Sequence, residues 1–176
     1  MYTNRRNLEL AKSTTTGTGA DGHVRSIRRT YDDLGRLDKV SSYSNPDGTG
    51  TVRNELQFEY NEIDQLTSSY QSHEGAVNTG TTPKVQYAYD SSATSSVLSR
   101  QHRLHRLIYP SGRTVFYDYD TSNPNDLYSR LSLIKAIRET DATGSELALY
   151  DFDGGGTPVV FDLHEPDIKL DLYQGT

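Results

Sequence analysis

The sequence predicts an all-β fold, an array of antiparallel β-hairpins forming an open, curved or spiralling sheet. Three observations predict it. An aromatic-x-aromatic-acid tag recurs as Phe58-x-Tyr60-Asn61, Tyr87-x-Tyr89-Asp90, Tyr117-x-Tyr119-Asp120 and Tyr150-x-Phe152-Asp153, and Arg29-x-Tyr31-Asp32 keeps its second half. The second aromatic positions lie 29, 29, 30 and 33 residues apart, and such a period signals one supersecondary unit repeated along the chain. Period-2 alternation runs into the tags, and turn residues follow them.

Residues 1–22 open the chain as half a hairpin and a Gly/Thr loop. Residues 23–156 hold about five hairpin units at the tag period. Within them, Leu56, Phe58 and Tyr60 share one strand face, as do Val85, Tyr87 and Tyr89, and Val115, Tyr117 and Tyr119. Glu55, Gln57 and Glu59 fall on the opposite face of the first of these strands, expected to be the wetter one. The rings of the tags are expected to pack consecutive hairpins together.

After the tag comes a turn. Asp32 and Asn61 open the two clearest copies, with short side chains able to bond the backbone two residues on. Gly35 and Asp64 share an offset where positive φ is expected. A strand restarts at Leu37 or Leu66.

A second class of turn joins one hairpin to the next, at residues 45–50, 75–83 and 140–145 and at Tyr109-Pro110-Ser111-Gly112-Arg113. Gly112 and Gly144 are read as its positive-φ residues. Two tips carry insertions, at 91–99 and 121–128, and residues 131–139 are read as a strand although Leu127, Leu131 and Ile134 have helical spacing. Residues 157–176 begin a further, truncated strand pair, so the chain is expected to be part of a longer array.

Composition narrows the function classes. Leu, Ile, Val and Phe make up about a fifth of the chain, and 13 tyrosines supply much of the remaining apolar area. That supply suits a thin, half-exposed sheet better than a thick core. No cysteine is present, which excludes disulfides and thiolate metal sites. The net charge of −6 offers no positive field for nucleic acid. No apolar run reaches the ~18 residues of a membrane span. The first ten residues read as polar, with no signal peptide.

The segment Tyr31-Asp32-Asp33-Leu34-Gly35-Arg36-Leu37 resembles the tyrosine–aspartate (YD) repeat of the RHS family, whose signature is Tyr-Asp, two residues, Gly-Arg-Leu. The second copy has Asp64-Gln65 in place of Gly-Arg, and the third and fourth keep Tyr-x-Tyr-Asp with an insertion behind it. Tyr109-Pro110-Ser111-Gly112-Arg113 is similar to a second phrase of these proteins. On this resemblance the repeat-signature residues are Tyr31, Asp32, Gly35, Arg36, Leu37, Phe58, Tyr60, Leu66, Tyr87, Tyr89, Asp90, Tyr109, Gly112, Arg113, Tyr117, Tyr119, Asp120, Tyr150, Phe152 and Asp153.

The resemblance implies hairpins that spiral into a hollow β-shell. In the bacterial members the shell encloses a C-terminal toxin, and in teneurins a related barrel stands at the cell surface. It implies an exported or surface location, and partners that are neighbouring repeats of the same polypeptide, an enclosed toxin cargo or a surface glycan. No counterpart of the family's Asp-Pro-x-Gly self-cleavage segment is read here, nor any toxin domain after Gly156.

Candidate chemistry is sparse. His102 and His105 are spaced for a helix face, but in a strand residues three apart point to opposite faces, and nearby arginines repel a cation. Residues 100–106 are therefore read as a solvated basic strand able to pair with Asp118, Asp120 and Asp126. Asp151, Asp153 and Asp162 match a calcium loop only in part, and a glycine-relaxed hairpin turn is preferred. The tag carboxylates recur once per unit instead of facing each other across a cleft, so no catalytic residue, cofactor or metal is assigned. The expected function is a structural repeat module without catalysis. The alternative is a carbohydrate-binding repeat domain whose tyrosine faces form a sugar ladder.

Overall fold

The computed structural model describes residues 10–12, 24–90, 103–119, 131–163 and 168–171, the first and last of these by backbone alone. Twelve strands follow: β1 Leu10–Lys12, β2 Ser26–Tyr31, β3 Leu37–Tyr43, β4 Val52–Tyr60, β5 Leu66–Ser72, β6 Lys84–Tyr89, β7 Leu104–Ile108, β8 Thr114–Asp118, β9 Ala136–Glu139, β10 Glu146–Phe152, β11 Pro158–Leu163 and β12 Ile168–Asp171. The chain divides into two compact units, Met1–Val85 and Gln86–Thr176. In the first, β1 to β5 lie side by side in chain order; in the second, β7 pairs with β6 and the order continues to β12. Every one of these ladders is antiparallel. The fold is thus an all-β, open antiparallel sheet in hairpin order.

Consecutive hairpins meet edge to edge. β3 pairs with β2 on one side and β4 on the other, and β8 likewise with β7 and β9. The period in the sequence therefore extends a sheet in its own plane through backbone hydrogen bonds. The tag rings expected to pack consecutive hairpins do so at Tyr60 and Tyr119, but against an arginine of the preceding hairpin and not by stacking on another ring.

A single layer has little interior. The buried apolar side chains among the described residues are Tyr70, Val115, Tyr119, Ala136 and Ala148, and Ser26, Ser41, Ser42, Glu55, Ser68 and Arg103 are buried as well. Two of the five apolar members are tyrosines, as expected of a chain that draws its apolar area from phenol rings.

The expected wet face of β4 is corrected at its start, where Glu55 is 5% exposed and Leu56 is 36% exposed. Glu55 sits opposite Ser41, whose hydroxyl donates to its Oε2 at 2.5 Å. The Val77 N–H donates to Oε1 at 3.0 Å, and the Lys39 ammonium stands 3.8 Å away. The loop after β5 folds over this carboxylate, and local alternation could not register that coverage.

The expected strand over 131–139 is shorter than read. Leu131 has helical backbone, Ser132 has φ 57, and β9 starts only at Ala136. A left-handed residue cannot sit in a regular ladder, so pairing begins beyond it. The loop at 140–145 is present, but its left-handed residue is Thr140 at φ 70 and not Gly144.

Candidate functional site: the hairpin clasp

The ladder slips at the same point of four hairpins. The irregularity falls between Thr30 and Tyr31, Glu59 and Tyr60, Ala88 and Tyr89, and Asp151 and Phe152, always at the second aromatic of the tag. Beyond the slip, Tyr31 pairs with Leu37, Tyr60 with Leu66, Tyr89 with Leu104 and Phe152 with Pro158. A bulge of this kind bends the strand and raises its twist, delivering the next residue, the acid, into the turn. The registers align Leu104 with Leu37 and Leu66, and so Arg103 with Arg36. The missing second half of the third repeat is Arg103-Leu104, displaced along the chain by the insertion.

The acid then builds the turn. In the first tip, Asp32 Oδ1 accepts the N–H of Leu34 at 3.0 Å and of Arg36 at 2.9 Å. In the second, Asn61 Oδ1 accepts from Ile63 at 3.1 Å and Gln65 at 2.9 Å. In the fifth, Asp153 Oδ1 accepts from Gly155 at 2.9 Å and Thr157 at 2.8 Å. Asp32, Asn61 and Asp153 each also donate their own N–H to the carbonyl four residues on, at 2.9 Å in all three. The fourth turn residue is left-handed every time: Gly35 at φ 81, Asp64 at 65 and Gly156 at 82. Tyr109 to Arg113 makes the same backbone closure, with Gly112 at φ 84.

Arg36 turns these tips into a chain of linked units. Its Nε donates to Asp32 Oδ2 at 2.7 Å, holding its own turn. Its Nη1 reaches the next tip, donating to Asn61 O at 3.0 Å and Asp64 Oδ1 at 2.8 Å. The guanidinium carbon stands 4.8 Å from the centre of the Tyr60 ring, and the Tyr60 hydroxyl donates back to Leu37 O at 3.0 Å. Planar guanidinium chemistry suits this role, since several donors and a stacking face act at once.

The third tip repeats the arrangement. Arg103 Nη2 donates to Asp90 Oδ2 at 3.0 Å, and its guanidinium carbon lies 4.6 Å from the Tyr119 ring centre. The Tyr119 hydroxyl donates to Leu104 O at 2.9 Å. In the second tip Gln65 takes the arginine's place, and Asn61 Nδ2 donates to its Oε1 at 2.7 Å.

The electrostatics follow the geometry. Burial pushes the phenols of Tyr60 and Tyr119 up, against the opposing pull of Arg36 and Arg103. Burial also acts to raise the Asp32 carboxyl, but hydrogen bonds from the Arg36 backbone and side chain outweigh it and hold the group below its ordinary value.

The remaining signature residues lie in the strands. Phe58 is opposite Ser69, Tyr87 opposite Leu107 and Tyr117 opposite Ile137. Tyr150 is opposite Phe161 with ring centroids 5.0 Å apart, a contact within one hairpin. Arg113 reaches Glu139 at 3.3 Å. Asp120, Asp126, His102 and both insertions, 91–99 and 121–128, lie outside the described residues.

One reading of the basic segment changes. Arg103 is 5% exposed and is held by Asp90, so this part of the segment is no solvated strand. Asp118, one of the three acids expected as its partners, pairs with Arg138 at 3.2 Å, and the other two lie outside the described residues. His105 packs edge-on against Phe116 at 4.9 Å, and the described residues hold no cluster of metal-binding side chains. Asp153 Oδ1 accepts the turn N–H groups of Gly155 and Thr157, the arrangement of a hairpin turn. No helix among the described residues is long and apolar enough to cross a membrane.

No protein-family model matches the chain, and no curated protein matches it in sequence.

Proposed function

We propose that the chain is a structural repeat module of RHS/YD type, part of a β-shell that encloses or presents a cargo domain, with no catalytic activity of its own. The observation that carries this reading is the recurrence of one clasp. Arg36 with Tyr60 and Arg103 with Tyr119 do the same job at two tips, and the same turn closes others. A device repeated along the array serves extension of a wall, where a catalytic or ligand site is built once. Its partners are neighbouring repeats of the polypeptide.

The tyrosines support a wall over a sugar ladder. Tyr60 and Tyr119 give a ring face to arginine and a hydroxyl to a leucine carbonyl, and stacking on a sugar needs that face free. The test has two arms. A compact reporter fused after the repeats of the parent polypeptide should resist protease until the shell is denatured, and the purified chain should bind no glycan on an array. A reporter digested at the rate of the free domain overturns the shell, and saturable glycan binding lost on substituting surface tyrosines favours the sugar-binding reading.

A further inference from the structure

We propose that a cavity beside the start of β4 binds a small zwitterion with an apolar side chain, of the α-amino-acid class, through Arg53 and Glu74. The cavity measures about 600 Å³ and is lined by residues of the first unit. That volume falls in the ~300–1,000 Å³ range of small-molecule sites. Arg53, Asn54, His73 and Glu74 line it together with Val24 and Val52, and none of the six belongs to the repeat signature.

The walls are fixed by hydrogen bonds of the backbone. The Gly75 N–H donates to Arg53 O at 2.9 Å, which ties the turn after β5 to β4. On the other flank the Ser44 N–H donates to Thr51 O at 3.0 Å, and Ser44 Oγ accepts the Thr51 N–H at 3.0 Å. Two residues past Gly75, the Val77 N–H is anchored on Glu55 Oε1 at 3.0 Å. Gly75 stands at φ 97, and a Cβ built there meets nothing within 4 Å, so the rim is open at this point. A frame set before the ligand arrives loses less on binding.

The polar side chains on this frame are unspent. In other loops such residues serve their own turns: Asp47 Oδ1 accepts the Thr49 N–H, Asn78 Oδ1 that of Gly80 and Asp141 Oδ1 that of Thr143. Among the described residues, the side chains of Arg53, Asn54, His73 and Glu74 make no hydrogen bond or ion pair. Arg53 and Glu74 therefore border one cavity without pairing to each other. A carboxylate meets the planar fork of Arg53 in a charge-assisted pair, and an ammonium on the same carbon finds its counter-ion in Glu74. Asn54 and His73 add donors and acceptors, and Val24 and Val52 offer apolar surface to the ligand's side chain. An anion alone would set like charge against Glu74, and a cation alone would do so against Arg53. No tag tyrosine lines the cavity, so the site is independent of whether the sheet encloses a cargo.

The test is an amide NMR titration of the full chain. L-leucine should move the resonances of residues 51–54 and 73–75 along a saturable curve. Isocaproate, which lacks the ammonium, and isoamylamine, which lacks the carboxylate, should each bind about tenfold more weakly or worse. Arg53→Gln and Glu74→Gln should each weaken leucine binding by about tenfold or more. Both should keep Tm within about 3 °C of the parent's, since neither side chain holds the fold. Shifts that never saturate, shifts scattered over the sheet, equal binding of either single-charge analogue, or two variants that bind leucine as the parent does would each overturn the proposal. A sharp fall in Tm for either variant would do the same, because its side chain would then be part of the fold.

Discussion

Arg103 lies between two residues that the sequence holds far apart, with Asp90 at 3.0 Å on one side and the Tyr119 ring centre at 4.6 Å on the other. Its counterpart Arg36 has the same neighbours in Asp32 and Tyr60, nearer to solvent. Removing one partner of a buried ion pair leaves the other charge desolvated, whereas an exposed pair is worth little. Arg103→Ala is therefore expected to cost about 3 kcal/mol. Arg36→Ala should cost clearly less, with a loss that shrinks further in high salt. Urea unfolding of both variants at low and high ionic strength checks the ranking, and equal losses would mean the two clasps are not graded by burial.

The tyrosine of the clasp can be dissected separately. Tyr119→Phe keeps the ring under Arg103 and deletes only the hydroxyl that serves Leu104 O at 2.9 Å. A neutral hydrogen bond of this kind contributes about 1 kcal/mol, while Tyr119→Ala also empties a buried ring site and should cost about 3–4 kcal/mol. A Phe variant as damaging as Ala would show that the hydroxyl, and not the ring, carries the joint.

Glu55 is the buried charge that the alternation of β4 misassigned. It accepts from Ser41 and from the Val77 N–H and lies near Lys39. Glu55→Ala strands those donors and should cost about 3 kcal/mol. Glu55→Gln keeps oxygen and shape and should cost less than half of that. Amide exchange should quicken at Val77 in both variants, since the loop over the carboxylate loses its anchor.

These residues also show what could be read from the chain. The turn chemistry was legible because it is local: an Asp or Asn two residues before the N–H it bonds, and a Gly or Asp at the left-handed place, sit within one five-residue window. The strand pattern was legible for the same reason. The pairing of Arg103 with Asp90 was not, because the insertion hides the offset that makes Arg36 conspicuous beside Asp32. The Arg-Leu pair at 103–104, ahead of a new strand, was the available signal. Burial of Glu55 was invisible because a loop more than twenty residues along the chain covers it.

Acid should act in two steps. Burial lowers the proton affinity of His105, aided by Arg106 and Arg103 and opposed by Asp90, and its Nδ1 is buried with no hydrogen-bond partner. With the folded value below the ordinary 6.5, the unfolded chain binds more protons in that range, so stability is complete above 6.5 and falls as pH drops through it toward the folded value. The second step belongs to Asp32 and Asp141, whose folded values lie below the ordinary 3.8. Their contribution is present above 3.8 and lost as pH falls below it. His105→Phe, which keeps an aromatic edge against Phe116, should remove the first step and leave the second. Persistence of the first step in that variant would assign it elsewhere.

Two glycines separate conformational strain from collision. Gly112 has φ +84, yet a Cβ built there meets nothing within 4 Å, so Gly112→Ala should cost about 1 kcal/mol from the left-handed backbone alone. Gly144 carries no positive φ, but a Cβ there would stand 1.6 Å from the Glu139 carbonyl oxygen and 2.7 Å from its carbon. That contact is with backbone at the end of β9, beside the Glu139 N–H to Ser145 O hydrogen bond of 2.9 Å that closes the loop. No rotamer change relieves it, and the turn itself must open. Gly144→Ala should therefore cost at least twice as much as Gly112→Ala, with the excess appearing as faster amide exchange across β9 and β10. Matching urea midpoints for the two variants would mean that the loop opens freely and does not fix the register of that hairpin.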